Sequence, residues 1–159
     1  LKGGKLMAKK SYNEKLKFCG DMPKIEEVTD IKSIERFGGT RMLIAPPLEY
    51  DEVMRMVPHG KIITSDRIRS YLAKKHGADY TCQLTAGIFI NIAANASEER
   101  AEDKIAFWRT LKKDGELNEK YPGGIEMQKA LLEQEGHVIV KKGKRYFVKD
   151  FEKKMYDVI

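Results

Sequence analysis

Few side chains in this sequence carry reactive chemistry, and their spacing decides what that chemistry can be. Cys19 and Cys82 are its two thiols. A cysteine acts as a nucleophile in its thiolate form, which needs a base or a cation beside it. Cys82 stands in Tyr80-Thr81-Cys82-Gln83 with His76 six residues before it, and that proximity in sequence does not make a thiolate pair. A displaced nucleophile and a buried inert thiol both remain open at Cys82. Neither cysteine belongs to a Cys-x-x-Cys spacing, which fits a reducing cytoplasm and gives no disulfide framework and no zinc site. His59 and His137 stand outside any His-Glu-x-x-His or other ligand spacing, so the sequence implies no metal and no cofactor.

The remaining chemistry is electrostatic. Thirty Lys and Arg against 24 Asp and Glu leave a net charge of +6, which attracts polyanions where the excess is clustered. Thr64 and Ser65 can donate to a phosphate at a helix N-terminus, where unpaired backbone N–H groups also favour anions, although plain capping uses the same atoms. Arg67, Arg69, Lys74 and Lys75 are phosphate ligands if they share a surface with a DNA-reading helix, and an ordinary charged helix face if they do not. Lys141, Lys142, Lys144 and Arg145 surround Gly143 at the tip of a hairpin, which reads either as a wing tracking a phosphate backbone or as a solvated turn.

These groups need a scaffold, and 159 residues allow one compact unit with little room for a second. No stretch has the roughly 18 apolar residues of a spanning helix, so no membrane role is expected. Residues 1–6 read as an expression remnant ahead of a natural start at Met7, residues 7–47 as an N-terminal extension packed on the core, and residues 48–159 as the main domain. In the extension, Ser11 with Glu14 makes a capping box for a helix to Phe18, residues 30–37 form a short helix stopped by Gly38-Gly39, and residues 41–45 a strand. Then come a helix over residues 48–57 and a second that begins at Thr64 or Ser65 and closes at Gly77. A third, mostly buried, runs from Thr85 to about Ala96. Asn91 and Asn95 lie on one face of that third helix. Residues 106–112 are expected to be extended, residues 124–135 helical with Gln128 and Leu132 on the repeat, and residues 138–148 a hairpin. The last two helices before residue 106, joined through Gly77, have the outline of a helix-turn-helix, an outline shared with helical hairpins used only for packing. The fold class that follows is α+β, with a winged-helix-like core and a small N-terminal extension.

The ordered set Val57-Pro58-His59-Gly60, Trp108-Arg109-Thr110-Leu111-Lys112-Lys113-Asp114-Gly115, Tyr121-Pro122-Gly123-Gly124 and Gln128 to Gly136 resembles the C-terminal domain of alkylguanine-DNA alkyltransferases (methylated-DNA–protein cysteine methyltransferases) and alkyltransferase-like proteins. The resemblance covers roughly residues 57–136. It implies a DNA-binding helix-turn-helix, double-stranded DNA as partner, and Asn95 closing the recognition helix and bonding the neighbouring turn. In the alkyltransferases a cysteine thiolate activated by a neighbouring histidine takes an alkyl group from a flipped guanine. The family's Pro-Cys-His-Arg turn aligns with Ala106-Phe107-Trp108-Arg109, so Phe107 replaces the nucleophile, Trp108 the activating histidine, and Arg109 matches the arginine. Trp108 is expected to fill the core or line a pocket. Two further departures concern flipping: Ser65 aligns with the family's tyrosine, and Thr85 or Ala86 with its intercalating arginine. Phe89 and Ile90 replace small residues that let the helix approach the minor groove, which puts productive flipping in doubt.

The reading that results is a non-enzymatic DNA-binding protein of the alkyltransferase-like type, recognising altered or alkylated DNA without covalent repair. Its alternatives are a divergent alkyltransferase using Cys82 and a protein-interaction module on a decayed DNA-binding scaffold. The candidate DNA contacts are Thr64, Ser65, Arg67, Lys74, Lys75, Thr85, Arg109, Lys141, Lys142 and Lys144, with Asn95, Phe107 and Trp108 as pocket or structural residues. Oligomeric state and lesion preference are not encoded in any motif.

Overall fold

Ser11 starts the first helix, α1 (Tyr12–Lys17), through the expected reciprocal cap, with the Glu14 N–H donating to Ser11 Oγ at 3.1 Å and the Ser11 N–H to Glu14 Oε1 at 2.8 Å. The computed structural model describes residues 9–159, and the expected remnant at residues 1–6 lies outside them. Helix α1 buries Leu16 and is tied at its start to the far end of a long helix, α5 (Gln83–Glu99), whose Glu99 carboxylate accepts the N–H groups of Tyr12 and Asn13 at 2.9 and 3.1 Å.

Next come β1 (Lys24–Glu27), α2 (Ile31–Phe37) and β2 (Arg41–Ile44). The Asp30 carboxylate caps α2 by accepting from the Ser33 N–H at 3.0 Å, and Gly38 ends it in the left-handed region at φ +85°. Strand β2 is the centre of a three-stranded sheet, antiparallel to β1 with Ile25 opposite Leu43, and parallel to β4 (Tyr80–Thr81) with Leu43 opposite Thr81. Helix α3 (Pro47–Met56) opens with Pro47 in its first turn, where a missing N–H costs nothing, and buries Tyr50, Val53 and Met54. After β3 (Ile63–Thr64) and α4 (Ser65–Lys75), the chain turns through Gly77 and β4 into α5.

Helix α5 organises the main core. Ala86, Ile90, Ala93, Ala94 and Ser97 recur at three and four residues, forming a stripe that packs among Leu43, Tyr50, Val53, Ile68, Leu72 and Phe107. A second core of Ile62, Leu111, Leu117, Leu132 and Val148 lies under α6 (Gly124–Gln134) and a hairpin of β6 (Ile139–Lys142) and β7 (Arg145–Val148). The two halves are joined where β3 pairs in parallel with β5 (Thr110–Leu111), Ile63 opposite Thr110.

The α+β class is as expected, and three local expectations are corrected. Helix α5 starts two residues before Thr85, with Cys82 as its N-cap, and runs on to Glu99. It is not mostly buried: its apolar residues occupy more than one face, and while the alanine-rich face is covered, Leu84 and Ile88 are 73% and 48% exposed. Residues 106–112 are not simply extended, because Phe107–Arg109 coil into a single 3-10 turn that carries the Phe107 ring inward before β5 begins.

Candidate nucleic-acid interface

The first two turns of α5 form one wall of a cleft of about 980 Å³, contributing Gln83, Leu84, Gly87 and Ile88. Ser65 and Arg69 of α4, Cys82, and the loop over residues 111–121, which brings Lys112, Lys113, Asn118 and Lys120, line it as well. Further lining comes from the N-terminal sheet region through Val28, Phe37, Met42 and Tyr80, and the rings of Phe37 and Tyr80 stack at 4.9 Å. Four cations face one carboxylate here, that of Glu119, which lies 3.4 Å from Lys112 Nζ. A largely apolar cleft with cations in its lining is suited to a ligand that is flat and apolar on its faces and anionic along its chain, which describes a nucleotide strand.

The loop that carries these lysines is anchored by side-chain hydrogen bonds. Asn118 donates its backbone N–H to Gln128 Oε1 at 2.7 Å and its side-chain amide to Asn91 Oδ1 at 2.9 Å, while the Gln128 amide donates to the Trp108 carbonyl at 3.0 Å. One polar chain thus links α5, the loop, α6 and the 3-10 turn. The Tyr121 hydroxyl, fully desolvated and pushed above its ordinary pKa by burial, donates to the Thr110 carbonyl at 2.8 Å. The roles expected of the two asparagines are therefore corrected. Asn95 donates back to the Asn91 carbonyl of its own helix at 2.8 Å, and it is Asn91 that engages the neighbouring loop.

The residues singled out by sequence do not all meet. Ser65 lines the cleft, and so does Arg69, whereas Arg67 is exposed elsewhere on α4. Thr64 is 2% exposed, with its hydroxyl turned to the Met155 sulfur at 4.0 Å, so burial removes it from any phosphate. Lys74 and Lys75 lie in the last turn of α4, about 14 Å along the axis from Ser65, and Lys75 is 3.3 Å from Glu49. Thr85 turns its hydroxyl to the Cys82 carbonyl at 3.5 Å and does not line the cleft. The hairpin tip does approach it: Arg145 makes a two-pronged pair with Glu116 at 2.8 and 3.1 Å, and Lys144 shares a small second cleft with Lys112. Lys141 and Lys142 lie over the rings of Tyr146 and Phe147, at 5.5 and 5.2 Å. Cleft members that sequence reasoning did not propose as DNA contacts include Lys112, Lys113, Lys120, Asn118, Gln83 and Leu84. The Lys112-Lys113 pair beside a turn was their one visible signal.

Arg109 is not free for a ligand. Its guanidinium is 15% exposed and pairs with Glu135 through Nε at 3.0 Å and Nη2 at 3.0 Å, while Nη1 donates to the Val57 carbonyl at 2.8 Å. Glu135 also accepts the Trp108 indole N–H at 2.8 Å and the Gly60 N–H at 2.9 Å. Burial pushes the Glu135 carboxyl up, and the Arg109 guanidinium with the Gly60 and Trp108 donors outweighs it, holding the group below the usual carboxylate range. Trp108 is thus more than core filler. Phe107 is 4% exposed, between the rings of Trp108 and Tyr121 at 5.4 Å each and nearly perpendicular to both. Cys82 is half-buried at the start of α5 and lines the cleft. Among the described residues no cluster of His, Cys, Asp and Glu could hold a metal, and no helix is long and apolar enough to cross a membrane.

No protein-family model and no curated protein matches this sequence. Among solved structures the chain is similar to S. pombe Atl1 in complex with damaged DNA containing O6-carboxymethylguanine, at 18% identity and a TM-score of 0.50, over 70% of this chain and 94% of that one. It is also similar to S. pombe ATL in complex with DNA, at 18% identity and a TM-score of 0.49 over the same shares. The likeness to Atl1 establishes the fold of this chain.

Proposed function

We propose that this chain binds double-stranded DNA as a non-enzymatic protein of the alkyltransferase-like type, holding altered or alkylated DNA without covalent repair. The observation that carries this reading is the cleft along α5, which Arg69, Lys112, Lys113 and Lys120 line together with apolar side chains. The site the resemblance assigns to the nucleophile holds the buried ring of Phe107 instead. The likeness in fold to Atl1, solved with damaged DNA containing O6-carboxymethylguanine, supports the same reading. In this proposal residues 48–159 supply the winged-helix DNA-binding unit, and the N-terminal region closes the cleft with Val28, Phe37 and Met42.

The test is anisotropy of a labelled duplex, with and without one O6-alkylguanine, at two salt concentrations. Tighter binding to the alkylated duplex, weakening as salt rises, is the expected result. Equal, salt-sensitive binding to both duplexes would reduce the proposal to general DNA binding. No binding at low salt would refute it and turn attention to a protein partner.

A second reading rests on Cys82, which lines the same cleft. Its thiolate would attack the alkyl carbon as the bond from that carbon to the guanine oxygen breaks, the electron pair leaving with the oxygen and the proton released by the thiol passing through solvent to the guanine. A mass increase equal to the alkyl group, abolished by Cys82→Ser, would establish it, and an unchanged mass with stoichiometric alkylated DNA would remove it.

A further inference from the structure

The C-terminal hairpin has one face that belongs to neither core. Cross-strand partners share a face, so Ile139 with Val148 and Lys141 with Tyr146 form one side, and Val140 with Phe147 and Lys142 with Arg145 the other. The first side packs on the second core through Ile139, Tyr146 and Val148. On the other, Val138 is 59% exposed in the same row as Val140 and Lys142, and neither core includes these side chains or Phe147. None of the four lines either cleft, so this surface is separate from the candidate DNA site.

Backbone groups are open beside it. The Lys149 N–H donates to the Val138 carbonyl at 2.8 Å, which makes residues 138 and 149 a hydrogen-bonded pair. Such pairs alternate along an antiparallel ladder, so Val140 and Lys142 also bond to β7, while Ile139 and Lys141 direct their N–H and C=O groups away from it. The far edge of β7 is taken, since Glu116 bridges to Phe147 and the Leu117 N–H donates to the Tyr146 carbonyl at 2.9 Å. Strand β6 has β7 as its one neighbour in the sheet.

Charge selects what can add to that edge. Residues 138–149 contain five cations and no carboxylate. Of these, Arg145 is committed to Glu116, while Lys142 lies over the exposed-side ring of Phe147 at 5.2 Å. A second copy is disfavoured, because β6 paired with itself would bring four lysines onto one short ladder. A duplex would meet the tip lysines and leave Val138, Val140 and Phe147 without a partner. An extended peptide uses all of these features, its backbone bonding the free edge and its side chains meeting alternate positions.

We propose that the free edge of β6 accepts an extended acidic segment of a partner protein as an added strand. Antiparallel pairing is the more stable arrangement per residue, and it sets the order of that segment. Two acidic residues come first, opposite Lys142 and Lys141, and apolar residues follow opposite Val140, Ile139 and Val138. This docking does not depend on what the cleft along α5 holds.

The test uses the full chain and a labelled peptide of two glutamates followed by three valines between Gly-Ser ends, read by anisotropy for binding and by NMR amide exchange for pairing. The expected result is saturable binding with exchange slowed at the Ile139 and Lys141 amides. Proline in place of the middle valine removes the donor opposite Ile139 and should weaken binding roughly tenfold, as should Lys142→Glu at low salt. Because Lys142 is exposed, that variant should melt like the wild type, which circular dichroism checks. Equal binding of the proline peptide, or binding without slowed exchange at those two amides, would overturn strand addition. No binding of the peptide at low salt would overturn it as well, and a fall in duplex affinity with Lys142→Glu would then assign this face to DNA.

Discussion

Glu135 is the side chain on which the second half of the molecule should depend most, and Glu135→Ala isolates that dependence. Its carboxylate is 5% exposed and accepts from Gly60, Trp108 and Arg109. It also sits at the C-cap of α6, where the partial negative charge of the last carbonyls opposes another anion, so the Arg109 guanidinium is what makes this placement tolerable. Removing the carboxylate strands a guanidinium that is 15% exposed and leaves two N–H donors without partners. Breaking a buried pair from one side costs about 3–5 kcal/mol, and because Arg109 keeps the Val57 carbonyl and some solvent, about 3 kcal/mol is the expected loss.

For a chain of this size that corresponds to a fall in Tm of roughly 6–12 °C. Glu135→Gln keeps the shape and exchanges charge-assisted bonds for neutral ones, so about half the loss is expected. The double variant with Arg109→Ala should show a coupling of about 2 kcal/mol in a thermodynamic cycle. Melting of Glu135→Ala within about 2 °C of wild type, or a cycle additive within about 0.5 kcal/mol, would refute the argument. The pH dependence provides a separate check. The folded-state pKa is lowered, so this carboxylate's contribution is full above its ordinary value of about 4.3 and is lost as pH falls through the lower folded value. Glu135→Gln should flatten that acid limb.

Other consequences can be measured directly. Phe107→Cys restores a thiol at the aligned position, but the protein should gain no alkyl mass from alkylated DNA, and it should lose roughly 3 kcal/mol in urea unfolding because the ring it replaces is 4% exposed. His137 is 5% exposed with both ring nitrogens unpartnered, and burial pushes its pKa down. As pH falls below about 6.5 the unfolded chain takes up the proton first, so stability declines through the window down to the lowered folded pKa. His137→Phe should make the urea midpoint less dependent on pH between pH 7.5 and 5.5, and an unchanged slope would show that the imidazole is not responsible. If Lys112 and Lys113 each neutralise a phosphate, replacing both with alanine should make the plot of log affinity against log salt shallower by roughly 0.9 per lost contact.

What could be read in the sequence divides along a physical line. Signals that act within one turn of chain were legible: the Ser11–Glu14 cap, the stop at Gly38, the repeat that buries Gln128 and Leu132, and the lysine hairpin. The cleft was not, because its members come from α2, β2, α4, α5 and the loop over residues 111–121, and no spacing records that Phe37 and Ile88 will line the same cleft. The asparagine reversal has the same origin. Asn91 and Asn95 share a helix face, and which of them meets Asn118 depends on how far along its axis α5 is docked.

Trp108 shows how far a resemblance can carry a residue before chemistry stops it. Aligned with an activating histidine, it holds a defined place by donating its indole N–H to Glu135 at 2.8 Å. An imidazole has a donor and an acceptor nitrogen, whereas an indole has a donor alone. The substitution therefore allows anchoring of the turn and removes the capacity to take a proton from a neighbouring thiol. Placing a cysteine at position 107 supplies a sulfur without a base, next to a carboxylate already committed to Arg109. The geometry around Trp108 thus gives that turn a structural role, fixed through the indole N–H on Glu135.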